Sequence, residues 1–150
     1  MPEALFSQTF PRPAREKVGH RQDSPMGQAI LRWFGIAYVV VGLLAFVAHD
    51  GRGYEFGVLN VNVPHSAIHI AVGLLSILAS TNVRWTRFYG WFGLVSFVLL
   101  VIDGLVPAIN PLAWWVPLDG PVLWFHVLTL AVFIAIVITT QPGKTAALEA

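Results

Sequence analysis

Four side chains able to carry a proton or hold a metal stand in stretches that are otherwise apolar: His65, His69, Asp103 and His126. His65 and His69 are four positions apart, which on a helix stacks them on one face. Such a pair is the geometry that zinc sites exploit, and Asp103 would complete a three-ligand set for a divalent metal. His69 and His126, on separate segments, could instead ligate a haem from both faces. A single histidine could also hold a chlorophyll-type pigment, since histidine is an ordinary axial ligand. A plainer use comes first among the expectations: His and Asp hydrogen-bond between helices and fix their register.

The elements carrying these residues follow from composition. Of 150 residues, 56% are apolar and only 11% are Asp, Glu, Lys or Arg. A soluble domain of this size normally devotes about 25% of its residues to charge. The surface therefore suits lipid better than water. There is no cysteine, which excludes disulfides, thiolate metal sites and thiol nucleophiles. A formal net charge of +1 implies no affinity for nucleic acid.

A helix crossing a hydrocarbon core of about 30 Å needs about 20 mainly apolar residues. Four segments answer to that, at about 29–48, 64–80, 88–108 and 121–140. Pro64 and Pro121 sit at the first turn of their spans, where proline is tolerated. Residues 1–28, rich in proline and basic residues, read as a flexible cytoplasmic tail with no secretory signal. Residues 141–150 read as a second short tail behind Pro142-Gly143.

The basic residues give the orientation. Arg12, Arg15, Lys17, Arg21, Arg32, Arg84, Arg87 and Lys144 fall on one side, and only Arg52 falls on the other. Positive charge marks the cytoplasmic side, so both termini are expected inside. Trp33, Trp85, Tyr89 and Trp91 gather near that boundary, and Tyr54, Trp114, Trp115 and Trp124 near the outer one. These are the two belts that amphipathic rings form at headgroup level.

Short connections predict an all-α fold, a four-transmembrane-helix up-down bundle. Small and polar residues recur along its first two spans at helical spacing: Gly35, Tyr38, Gly42, Ala45 and His49, then His65, His69, Gly73, Ser76 and Ser80. Helix packing is the expected reason, because small residues let backbones approach in lipid. Shifting the chain by 57 residues lays Asn62-Val63-Pro64 on Asp119-Gly120-Pro121 and His69 on His126. The halves thus read as a duplicated two-helix hairpin.

At about 1.5 Å per residue, His69 and His126 each lie roughly 7 Å inside their helix-starting prolines, and Asp103 about 6 Å inside Pro107. Three spans place ionisable groups at one depth near the outer boundary, with His49 and Asp50 just above. No charged residue stands at mid-membrane depth, which argues against a path for protons or small solutes.

The run Asn62-Val63-Pro64-His65-Ser66-Ala67-Ile68-His69, followed by a helix containing Gly73, resembles a bacterial family of four-helix membrane proteins of unknown function. Its signature at the second span is Asn-x-x-His-x-x-x-His, matched by Asn62, His65 and His69. An aromatic-rich third span and a histidine in the fourth also agree, over about residues 30–140. The chain departs at Asp119-Gly120-Pro121, where that family has an Asp-Asn-type pair. The resemblance implies the topology and a bacterial cytoplasmic membrane, and it implies no activity.

Phosphate loops, nucleophile elbows and paired carboxylates are absent, so no enzyme is expected. The first expectation is an accessory or scaffold subunit of a larger membrane complex, of respiratory or photosynthetic type, with the bilayer and other subunits as partners. The alternatives are a haem- or pigment-binding protein using His69 and His126, and a small transporter or metal-handling protein using His65, His69 and Asp103.

Overall fold

The computed structural model describes residues 25–48, 55–56, 59–60, 62–106, 115–118 and 120–141. Within them the chain forms α1 (Pro25–Val47), β1 (Glu55–Phe56), β2 (Leu59–Asn60), α2 (Val63–Ala79), α3 (Val83–Leu105) and α4 (Gly120–Thr139). The two strands are a two-residue antiparallel ladder, Glu55 opposite Asn60 and Phe56 opposite Leu59. The fold is an all-α four-helix bundle. α1, α3 and α4 are long and apolar enough to cross a membrane. α2, with 17 residues, is shorter, and 17 is the lower end of the range of about 17–25 that can span.

Local chemistry sets the helix starts. Asn82 caps α3, its Oδ1 accepting from the backbone N–H of Arg84 at 2.8 Å and of Trp85 at 3.4 Å. That cap starts α3 at Val83, five residues ahead of the expected 88 (88 − 83 = 5). α1 likewise begins at Pro25, so residues 25–28, expected in the tail, are helical. Proline suits a first turn because its missing N–H would be unpaired there anyway. The remaining tail residues, 1–24 and 142–150, lie outside the described residues, as do His49, Asp50, Tyr54, Trp114 and Asp119.

Neighbouring helices run antiparallel. Thr86 Oγ1 donates to Ala79 O across α3 and α2 at 3.0 Å, and Tyr89 Oη donates to Val72 O at 3.0 Å. Between α1 and α2 the approach is closest. A Cβ built on Gly35 would stand 2.6 Å from Gly73 O, and one on Gly73 would stand 2.6 Å from Gly35 O. Only hydrogen fits on either side of this crossing, so backbone packs on backbone, as small residues permit in lipid.

The stripes of small and polar residues face inward: Gly35, Tyr38, Gly42 and Ala45 on α1, and His65, His69, Gly73, Ser76 and Ser80 on α2 are all buried. Leu31, Phe34, Tyr38, Ala79, Phe97, Phe133 and Ile136 form the core between them. The outer surface is as apolar as the inside. Trp33, Trp85, Trp91 and Trp124 are all exposed there, together with Leu74, Leu75, Leu78 and Leu99. In water such a surface would drive aggregation. In lipid it is the matching solvent, and helical backbone leaves no polar group unpaired.

Candidate metal centre

Three histidines meet at the end of the bundle where α2 and α4 begin. Asn62 is the N-cap of α2, and its Oδ1 accepts from the backbone N–H of His65 at 2.9 Å. The Asn-x-x-His spacing is therefore a capping device: the asparagine binds the backbone of the third helical residue, whose side chain is left free to turn inward. His69 follows one turn later on the same face. On α4, His126 donates from Nδ1 to Val122 O at 2.8 Å. A carbonyl only accepts, so Nδ1 carries the hydrogen and Nε2 is the nitrogen left to bind elsewhere.

The rings are in mutual contact. His65 and His69 have centroids 4.4 Å apart at 62°. His65 lies nearly parallel to His126, at 5.6 Å and 15°, and His69 is 6.4 Å from His126. One nitrogen from each of the three lies within 4.8 Å of the others. Aromatic rings close the sides: Tyr38 stands 4.8 Å from His69, Phe125 5.9 Å from His69, and Phe97 5.7 Å from His126.

Burial makes this arrangement costly unless something binds it. His65, His69 and His126 are only 1%, 4% and 2% exposed. Both ring nitrogens of His65 and both of His69 are without a hydrogen-bond partner among the described residues, as are Ser66 Oγ and Asp103 Oδ2. Leaving a buried polar group unmet costs about 1–3 kcal/mol. Neither His65 nor His69 makes a hydrogen bond to another helix among the described residues, so the expected structural role finds no protein partner at these two rings.

A single metal ion fits the donors. Zinc–imidazole bonds of about 2.0–2.1 Å put ligand nitrogens roughly 3.3–3.6 Å apart. Small side-chain rotations from a set already within 4.8 Å reach that spacing. Between His69 and His126, whose centroids are 6.4 Å apart, the packing is close. His65 stacks on His126, and Phe125 lies beside both His69 and His126.

The expected sets are His69 with His126 for a cofactor and His65, His69 and Asp103 for a metal; the structure brings the three histidines together. His126 joins the two α2 histidines, and Asp103, on α3, is outside the group. The reason is register. Phe97 is the α3 residue that reaches His126, so α3 presents an aromatic ring rather than its carboxylate to the cluster. One signal did point to His126: the 57-residue offset that pairs it with His69. The helix starts keep the same offset, Val63 for α2 and Gly120 for α4 (120 − 63 = 57).

At the opposite end, polar side chains are spent on neighbouring helices. Gln28 Nε2 donates to Ser80 O at 3.0 Å. Arg87 Nε donates to Thr140 O at 2.8 Å, capping a carbonyl at the end of α4. Midway, Thr129 Oγ1 gives its hydrogen to Phe125 O at 3.0 Å. Tyr38 is then the donor in its 2.6 Å bond to Thr129, which ties α1 to α4 in the core.

Neither the curated proteins nor the solved structures include a match to the chain. A family profile does match, covering residues 28–139 and so all but the first turn of α1 and everything through α4. Its description is Domain of unknown function (DUF4383), which agrees with the resemblance read from Asn62, His65 and His69, and the chain belongs to that family.

Proposed function

We propose that the protein is a non-enzymatic, metal-handling integral membrane protein whose centre is His65, His69 and His126. One observation carries the reading. Three buried imidazoles converge, and two of them have both nitrogens unmet among the described residues. Buried polar groups in native proteins are nearly always satisfied, and an orphaned cluster calls for a missing ligand. No carboxylate or thiolate joins the group among the described residues. The centre holds an ion rather than performing hydrolysis.

Arg32, Arg84 and Arg87 lie at the far end of the bundle from the histidines, as the order of the helices dictates. By the positive-inside rule that end is cytoplasmic, which puts the centre near the outer face of a bacterial cytoplasmic membrane, with both termini inside.

The test is metal analysis of the full chain purified in mild detergent from its native membrane. The expected result is about one transition-metal ion per chain in the wild type, and far less in His65→Ala, His69→Ala and His126→Ala. Equal metal in all four would end the reading. Membrane subunits that leave with the wild type in the same preparation would place the centre inside a larger assembly, the role ranked first from the sequence.

A further inference from the structure

We propose that the centre selects a monovalent copper ion over divalent ions; the inference rests on the metal-handling reading and specifies its cargo. The donor set is the starting point. Three imidazoles contribute no charge, so the ion's own charge stays on the site. The rings around it are apolar on every named side: Tyr38 and Phe125 against His69, Phe97 and Phe125 against His126. The cost of carrying an ion into such surroundings grows with the square of its charge, so a divalent ion costs roughly four times what a monovalent one does. The nearest acid on α3 is Asp103, outside the ligand group but at the same end of the bundle. No carboxylate joins the ligand group among the described residues to offset a second positive charge.

Coordination number points the same way. Three nitrogens are offered among the described residues, two from one face of α2 and one from α4. Zinc held by three histidines keeps a water as its fourth ligand, and divalent copper prefers a tetragonal set of nitrogen and oxygen ligands. Monovalent copper is satisfied by three donors and needs no water, which suits a centre whose ligands are this buried. Sodium and potassium, the abundant monovalent ions, seek oxygen donors, whereas the three ligands grouped here are nitrogens. Imidazole nitrogen is an accepted copper ligand. Charge and donor number thus point to monovalent copper, which imidazole also accepts.

The experiment titrates metal-free, detergent-solubilised full-length protein under anaerobic conditions. Monovalent copper, held reduced by ascorbate, is presented against a chromophoric copper chelator. Zinc is presented separately against a zinc chelator. The expected result is one monovalent copper per chain, bound about 100-fold or more tighter than zinc. Silver(I), a redox-inert stand-in, should displace it. X-ray absorption of the copper-loaded wild type should show three nitrogen neighbours, a readout that needs no variant to fold. Zinc bound as tightly as copper, or more so, overturns the selectivity and leaves the metal centre standing. Failure of copper, silver and zinc alike overturns the metal-handling reading itself.

Discussion

At the arginine end of the bundle, Gln28, Ser80, Thr86, Arg87 and Thr140 each reach a backbone carbonyl of a neighbouring helix or of their own. At the histidine end, His65, His69, Ser66 and Asp103 each keep at least one buried atom without a partner among the described residues. Both ends are built from the same helices, and both place polar side chains inside lipid-facing walls. Polar residues that serve packing close their hydrogen bonds within the protein. Polar residues that serve a ligand cannot, because the ligand must complete them. A bundle optimised only for stability would not leave one end open, and the stability forgone there is the usual mark of a functional site.

The contrast can be broken or sharpened by substitution. The largest effect should come from Gly73→Leu, which drives a side chain into the Gly35 carbonyl and separates α1 from α2. Both ends then lose their scaffold, and the variant should fail to give a monodisperse peak in size-exclusion chromatography. A well-behaved peak with wild-type melting would show that the close crossing is dispensable. Next is Thr86→Val at the arginine end. It removes the hydroxyl bonded to Ala79 O and Asn82 O, and should cost about 1–2 kcal/mol in detergent unfolding while leaving metal content unchanged.

Asn62→Ala should cost about 1 kcal/mol through the lost N-cap. It should also weaken metal binding, since the cap fixes the turn that carries His65. Unchanged affinity would separate the cap from the centre. The smallest change belongs to Tyr38→Phe. Losing the bond to Thr129 should cost about 0.6 kcal/mol, the average for such contacts between membrane helices. Metal stoichiometry should hold, because the Tyr38 hydroxyl is engaged with Thr129.

Much of this was legible in the residues. Four apolar stretches, the glycine stripes and the 57-residue offset between Pro64 and Pro121 carried the bundle, because lipid imposes length and periodicity that composition displays directly. The histidines were visible as a layer at one depth. Which of them touch was not, since depth along a helix follows from counting while rotation about the axis is set by packing. Phe97 taking the position beside His126, and Asp103 falling outside, is an outcome of how α3 seats on α4. The starts of α1 at Pro25 and α3 at Val83 were hidden for another reason. Both extend past the apolar stretch: Asn82 caps α3, and Pro25 suits the first turn of α1.

Thermal melting of three proteins, each with and without the bound metal, tests the central claim most directly: wild type, Thr86→Val and His69→Leu. Without metal, Thr86→Val should melt below wild type and His69→Leu above it, because leucine fills the site without orphaned nitrogens. Metal at about 100-fold over its Kd should add about 2.7 kcal/mol to the wild type and to Thr86→Val, and nothing to His69→Leu. A metal-free His69→Leu that melts below wild type, or a metal shift equal in all three, would contradict the account.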